Sequence, residues 1–373
     1  MNKFFLVLTL ALLATVHVVA NPEAQEVFGQ GEELLSEQKW DSAAEKFKDA
    51  VDLEKNYAEA WNKWGEALYN QSDMFDAIEK FKNAIKINPR YTEALYNLGM
   101  GFENINLEKR LKGDDKTIKK LAKTQYQDAI DAYQKALNIS PVNDERSVIN
   151  SQYRLGTVLR DLELKKDSKD QNFKEAISHL ETAIAMQPDF PECRNELGRT
   201  YDIIGRYPEA IDQYTKAIAG HMYYAQAYSN RGVAWWHDGD WDNALADCRQ
   251  AVDIDPKFAG GHYNFAEVVF ARVEVLKANG DMSVIHDEVE RAIDQYSMAT
   301  QIDPDFLAAW EGLARAYWSY HDYDKAKETY SHVLSMDKHN AAAKQALKDI
   351  KAEEKTFVSH IPKQYQSGVQ KQP

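Results

Sequence analysis

Carboxylates alternate through Asp238-Gly239-Asp240-Trp241-Asp242, and oxygen donors at such spacing are what a calcium ion gathers around itself. The stretch lacks the glycine and the terminal glutamate at the offsets a calcium loop requires, so it reads as a turn between two helices. His286, Asp287, Glu288 and Glu290 mix nitrogen and oxygen donors in the manner of a metal site. Acids at that place are equally accounted for as the first turn of a helix, where they meet the positive end of the macrodipole. No metal is expected. The 373 residues contain no phosphate-binding glycine loop, no nucleophile elbow, no HExxH, no CxxC and no CxxCH. We therefore expect neither an enzyme nor a cofactor, and the remaining chemistry is that of a recognition surface.

The elements that would build such a surface recur at a spacing of about 34 residues. One segment carries Trp61, Trp64, Gly65, Leu68, Ala77, Phe81, Ala84 and Pro89. The same skeleton returns as Leu197, Gly198, Tyr201, Ala210, Tyr214 and Ala217, then as Gly232, Trp235, Ala244, Cys248, Ala251 and Pro256. It appears again as Trp310, Leu313, Ala314, Tyr317, Ala326 and Tyr330. Within a unit, large residues at positions 4, 7 and 11 and a small one at 8 share a helical face, and Ala, an aromatic and Ala at 20, 24 and 27 share another. Small residues let two antiparallel helices approach while the ring fills the space between them. Proline at position 32 (Pro89, Pro141, Pro188, Pro256, Pro304) ends the second helix. Aromatics at position 17, among them Trp40, Trp241 and Tyr323, stand just ahead of the second helix, and the aspartates after them (Asp41, Asp242, Asp324) are expected N-caps.

This pattern resembles the tetratricopeptide repeat family over nearly all of the chain after residue 22. The resemblance implies an all-α fold: a right-handed superhelical solenoid of about eight helix pairs with a C-terminal capping helix over 341–355. It also implies that positions 2, 5, 9 and 12 of each first helix line a concave side that receives protein or peptide partners. Position 12 carries Tyr69, Trp236, Phe270 and Trp318, and aromatics facing a groove bury much area at low entropic cost. The expected partner-binding residues are Asn195, Arg199, Asn230, Trp236, Tyr263, Phe270, Arg315 and Trp318. Asn97, Asn230 and Asn264 share position 6, where some relatives bond peptide backbone. Other relatives clamp a chaperone's terminal carboxylate with Lys, Asn, Asn, Lys and Arg. Here Asn195 and Asn230 match, but Gly260 and Asn264 stand where basic residues are required. Two rival readings are a structural subunit working through its convex face or insertions, and glycan binding by the groove aromatics.

Composition and termini set the context. A formal net charge of −14 argues against a nucleic-acid partner, which needs a basic footprint, and the sequence also admits a homo-oligomer. Lys3, an apolar run over 4–16, and Val18 and Ala20 ahead of Asn21-Pro22-Glu23 form the pattern of a cleaved signal peptide at 1–20. Membrane contact would then arise only through that segment, if it were retained. An exported chain is expected, in the periplasm, secreted or held at the envelope. The repeats occupy 21–355 with insertions near 103–124, 161–172 and 273–290, and 356–373 read as a flexible tail. The first insertion is locally basic (Lys109, Arg110, Lys112, Lys116). Cys193 and Cys248 fall on different repeat surfaces, so buried free thiols are expected rather than a disulfide.

Overall fold

The computed structural model describes residues 21–105, 116–279 and 284–360. The leader expected at 1–20, residues 106–115 and 280–283 of two insertions, and 361–373 of the expected tail lie outside the described residues. Among the described residues every strand position is empty, and seventeen α-helices and one short 3-10 turn account for the regular structure. The chain divides into two compact units, Met1–Ala183 and Ile184–Pro373.

The first unit pairs α1 (Pro22–Ser36) with α2 (Trp40–Leu53), α3 (Ala58–Asn70) with α4 (Met74–Ile87), α5 (Thr92–Glu103) with α6 (Lys116–Leu137), and α7 (Glu145–Glu163) with α8 (Lys174–Met186), whose last turn crosses the boundary. The second pairs α9 (Pro191–Ile203) with α10 (Tyr207–Gly220), α11 (Ala225–Asp238) with α12 (Trp241–Ile254), α13 (Ala259–Asn279) with α14 (Ile285–Ile302), and α15 (Leu307–Ser319) with α16 (Tyr323–Met336). The last helix, α17 (Ala341–His360), follows. Within each unit a helix packs chiefly on its neighbours in sequence, as an array of stacked hairpins must. The all-α repeat fold is the one expected.

The small-residue positions explain the close pairing. A Cβ on Gly65 would stand 2.5 Å from Phe81 Cε1, and one on Gly198 would stand 2.7 Å from Tyr214 Cε1. The position-24 ring therefore lies flat on the backbone of position 8. Phe81 and Tyr214 are each 1% exposed, and burying such a ring stabilises the fold by about 1.5–3 kcal/mol.

The turn between paired helices is equally regular. Gln38, Ser72, Gly205, Gly239 and His321 all have positive φ, between 61° and 91°, and all occupy position 15. Each is followed by an amide that reaches back over the turn: Asp73 N–H donates to the Leu68 carbonyl at 2.9 Å and Asp240 N–H to the Trp235 carbonyl at 2.9 Å. This closes the first helix with a left-handed cap. Asp73, Asp240 and Asp322 cap α4, α12 and α16, accepting from the amides of Asp76, Asn243 and Lys325, whereas α2 starts behind Lys39 with no side-chain cap. That corrects the expectation for Asp41, Asp242 and Asp324. The position-17 aromatic is itself the first helical residue, so these aspartates sit in the first turn instead.

Insertions lengthen helices. Both α13 and α14 outgrow their counterparts, at 21 and 18 residues. At the C-terminal end α17 lays Ala343, Ala346 and Ile350 over Ala326, Tyr330 and Val333, covering the last repeat's apolar face. It continues to His360, past residue 355. Cys193 and Cys248 are buried, and neither forms a disulfide. No helix among the described residues is long and apolar enough to cross a membrane.

Candidate functional site

Position 12 falls in the last turn of α11 and α15, and at the corresponding place in the longer α13, so successive copies rise side by side. In the second unit this places Trp236 of α11, Phe270 of α13 and Trp318 of α15 on one open cavity of about 810 Å³. Arg315, one turn before Trp318, lines it as well. Four of the eight expected partner-binding residues are thus brought together. Trp236 and Trp318 are half-buried, whereas Phe270 is 7% exposed. The two tryptophans offer accessible faces and Phe270 forms the floor.

Arg315 is held in place from three sides. Its Nη2 donates to Glu267 Oε1 at 2.7 Å and to Tyr296 Oη at 3.2 Å, and its guanidinium lies 5.1 Å from the Phe270 ring centroid. The Tyr296 hydroxyl donates to the same Glu267 oxygen at 2.6 Å. Burial, with the Glu267 charge beside it, drives the Tyr296 phenol well above its usual range. Burial also works against the charge on Arg315, but Tyr296 and Glu267 outweigh it and strengthen its hold on the proton. Across the groove Lys277 Nζ donates to Glu274 Oε1 at 3.0 Å and to Ser319 Oγ at 2.7 Å. The rings of Tyr320 and His286 stack with centroids 4.4 Å apart, and Tyr320 Oη lies 2.7 Å from His286 Nε2. The Trp318 indole N–H donates to Glu353 Oε2 at 2.9 Å.

The remaining expected residues lie elsewhere. Asn195 is fully buried, and its amide is committed to protein partners: it donates to Glu196 Oε1 at 3.1 Å and accepts from Asn230 Nδ2 at 3.0 Å. Asn97 donates likewise to Asn62 at 3.1 Å, and Asn264 to Ser229 at 3.0 Å. Each position-6 asparagine therefore ties its repeat to position 5 of the one before, which is a structural use of the amides that were expected to meet peptide backbone. Arg199 pairs with Glu196 at 2.9 Å. Tyr263 packs on Phe306 and Tyr296, with centroids 5.0 and 6.2 Å away. Neither lines the cavity.

Lys277, Tyr320 and Glu353 went unnoticed in the sequence, and His286 was weighed only as a metal ligand, because as groove residues they come from the third insertion, the α15–α16 turn and α17. One signal was available: the 273–290 insertion directly follows Phe270, so a longer α13 had to project beside it. The metal reading of His286, Asp287, Glu288 and Glu290 finds no support among the described residues, where no metal-holding group of His, Cys, Asp or Glu occurs. Glu288 instead pairs with Arg272 and Arg291 at 3.9 and 3.5 Å.

Stacked helix hairpins with a side-chain-lined groove define a helical-repeat protein. Two family models, both described as tetratricopeptide repeat, match residues 28–92, 168–225, 204–257 and 286–350, together more than half of the chain. The chain belongs to the tetratricopeptide repeat family. It is 25% identical over 200 residues to the Hsp70-Hsp90 organizing protein of Triticum aestivum, a match covering 53% of this chain and 28% of that protein. It is 27% identical over 152 residues to the Photosystem I assembly protein Ycf3 of Cyanophora paradoxa, covering 40% of this chain and 79% of that one. The match to the organizing protein thus spans well under half of that relative's own length. Among solved structures, PilW, described as a type IV pilus biogenesis factor, shares the fold with a TM-score of 0.52 and 18% identity, over 67% of this chain and 100% of PilW.

Proposed function

We propose that the chain is a non-catalytic interaction scaffold that captures a peptide segment of a partner protein in the groove of its second unit. One observation carries the reading: Trp236 and Trp318 stand half-buried on the same cavity, over a floor made by Phe270 and a fixed Arg315. Accessible aromatic faces around a buried ring suit apolar side chains of an extended or helical peptide. The ion-paired Arg315 is already oriented, so a guest carbonyl meets a donor whose ordering cost has been met.

Export to the envelope is part of the same proposal and rests on the pattern over 1–20. The Asn21 side chain accepts from the amides of Glu23 and Ala24, so removal of 1–20 leaves α1 and its cap whole. Support of an envelope complex is the role such a scaffold would serve there; PilW, which shares the fold, is described as a type IV pilus biogenesis factor.

The test is affinity capture from extracts of the source organism with the wild type and with Trp236→Ala plus Trp318→Ala. Loss of the captured partner at unchanged helical circular dichroism is expected. Equal recovery by both proteins would reject groove capture.

A further inference from the structure

The groove's charged groups are not evenly satisfied. Both of its long cations are committed: Arg315 to Glu267 and Tyr296, Lys277 to Glu274 and Ser319. Glu353 differs. Among the described residues its carboxylate receives one hydrogen bond, from the neutral Trp318 indole, and it stays exposed. Three carboxylates therefore face two cations across the lining, leaving one negative charge beside the Trp318 ring. A cation entering here meets the carboxylate and the negative faces of the aromatics at once. An incoming carboxylate would instead face Glu267, Glu274 and Glu353 on a chain of net charge −14.

We infer that the groove selects a basic–apolar peptide, in which apolar side chains cover Trp236 and Trp318 and a lysine or arginine side chain pairs with Glu353. This rests on the groove-capture reading and adds the chemistry of the guest. The field of the whole chain brings basic peptides in, and Glu353 fixes which part of the guest sits over Trp318.

The assignment is tested on the full chain by fluorescence anisotropy with three labelled synthetic peptides. These share alternating Leu and Phe and carry Lys, Gln or Glu at the remaining positions. The Lys peptide is expected to bind about three- to tenfold more tightly than the Gln peptide, and the Glu peptide most weakly. Glu353→Gln should abolish the advantage of Lys over Gln, read as the ratio of the two affinities in the same protein, and Glu353→Lys should reverse the order. Glu353 is exposed, so neither substitution threatens the fold.

A Lys advantage that survives Glu353→Gln would be a property of net charge alone and would overturn the assignment. Tightest binding by the Glu peptide would overturn it as well. Chain lacking 361–373, which holds Lys363 and Lys371 and no acid, should keep the same order. If the order changes on that deletion, the segment itself is the occupant and Glu353 does not select an external guest. Binding of all three peptides with equal affinity leaves capture standing and removes the charge preference. Binding of none removes capture too.

Discussion

The two cysteines show how one residue's surroundings decide its chemistry. Cys248 fills position 24, where other repeats place a ring, and its sulfur lies 2.6 Å from where a Cβ on Gly232 would stand. Burial pushes the Cys193 thiol up to about 12 and Cys248 further still. The reactive species is the thiolate, so neither cysteine should react with Ellman's reagent in the native protein at pH 8, and both should react in denaturant. The same shift sets a pH dependence. A thiol whose folded pKa lies above its unfolded value contributes stability that is complete below the unfolded value and is lost as pH rises past it. Above pH ~9, each thiol should therefore cost about 1.4 kcal/mol per pH unit until its folded value is reached. Urea melts at pH 8 and 10 on wild type and Cys193→Ala should show the shallower loss in the variant. An equal loss in both would contradict it.

At the scale of the helix hairpin, the turn is where sequence and geometry disagree. Position 15 demands positive φ in the five repeats that carry Gln38, Ser72, Gly205, Gly239 and His321 there, yet glycine occupies two of them. A side chain in the left-handed region costs about 1 kcal/mol relative to glycine. Ser72→Gly should accordingly raise stability by about 0.5–1 kcal/mol, and Gly239→Ala should lower it by about 1 kcal/mol. Both are read from the urea midpoint at constant m-value. Opposite signs at two sites of the same turn would be hard to obtain from any general effect of composition. A Ser72→Gly protein weaker than wild type would refute the account of the cap. The same turn explains the misplaced N-caps: at Trp241 and Tyr323 the sequence shows an aspartate on each side of the aromatic, at Trp40 only the one after it, and only the backbone shows that the residue before the aromatic precedes the helix.

At the scale of the whole chain, the repeats gain their stability from neighbours, and the ends need covering. At the C-terminal end α17 does this with Ala343, Ala346 and Ile350, and the same helix hands Glu353 to the groove. A capping element thereby lines the proposed recognition groove. At the other end α1 begins at Pro22 behind its Asn21 cap. Protein recovered from its native host should therefore have an intact mass that starts at Asn21. A mass that includes residues 1–20 would reject the cleavage proposal.

Repetition is what made the fold legible. A spacing of about 34 residues constrains many positions at once, and each small residue opposite each ring states where two helices touch. That information is local, because every pairing lies within one hairpin or between neighbours. Trp236, Phe270 and Trp318 were legible for the same reason, since they repeat a position. The rest of the groove was not. Lys277 and His286 come from an insertion without a repeat counterpart, Glu353 comes from the cap, and which charges are satisfied depends on partners such as Glu267 and Arg315, 48 residues apart. The same gap hid the fate of Asn195, whose amide looks free in the sequence but is buried, bonded to Glu196 and, from the next repeat, to Asn230. The order of residues thus set the hairpins and their rings through short-range packing. Only stacking in three dimensions decided which polar groups were consumed internally and which were left exposed on the groove.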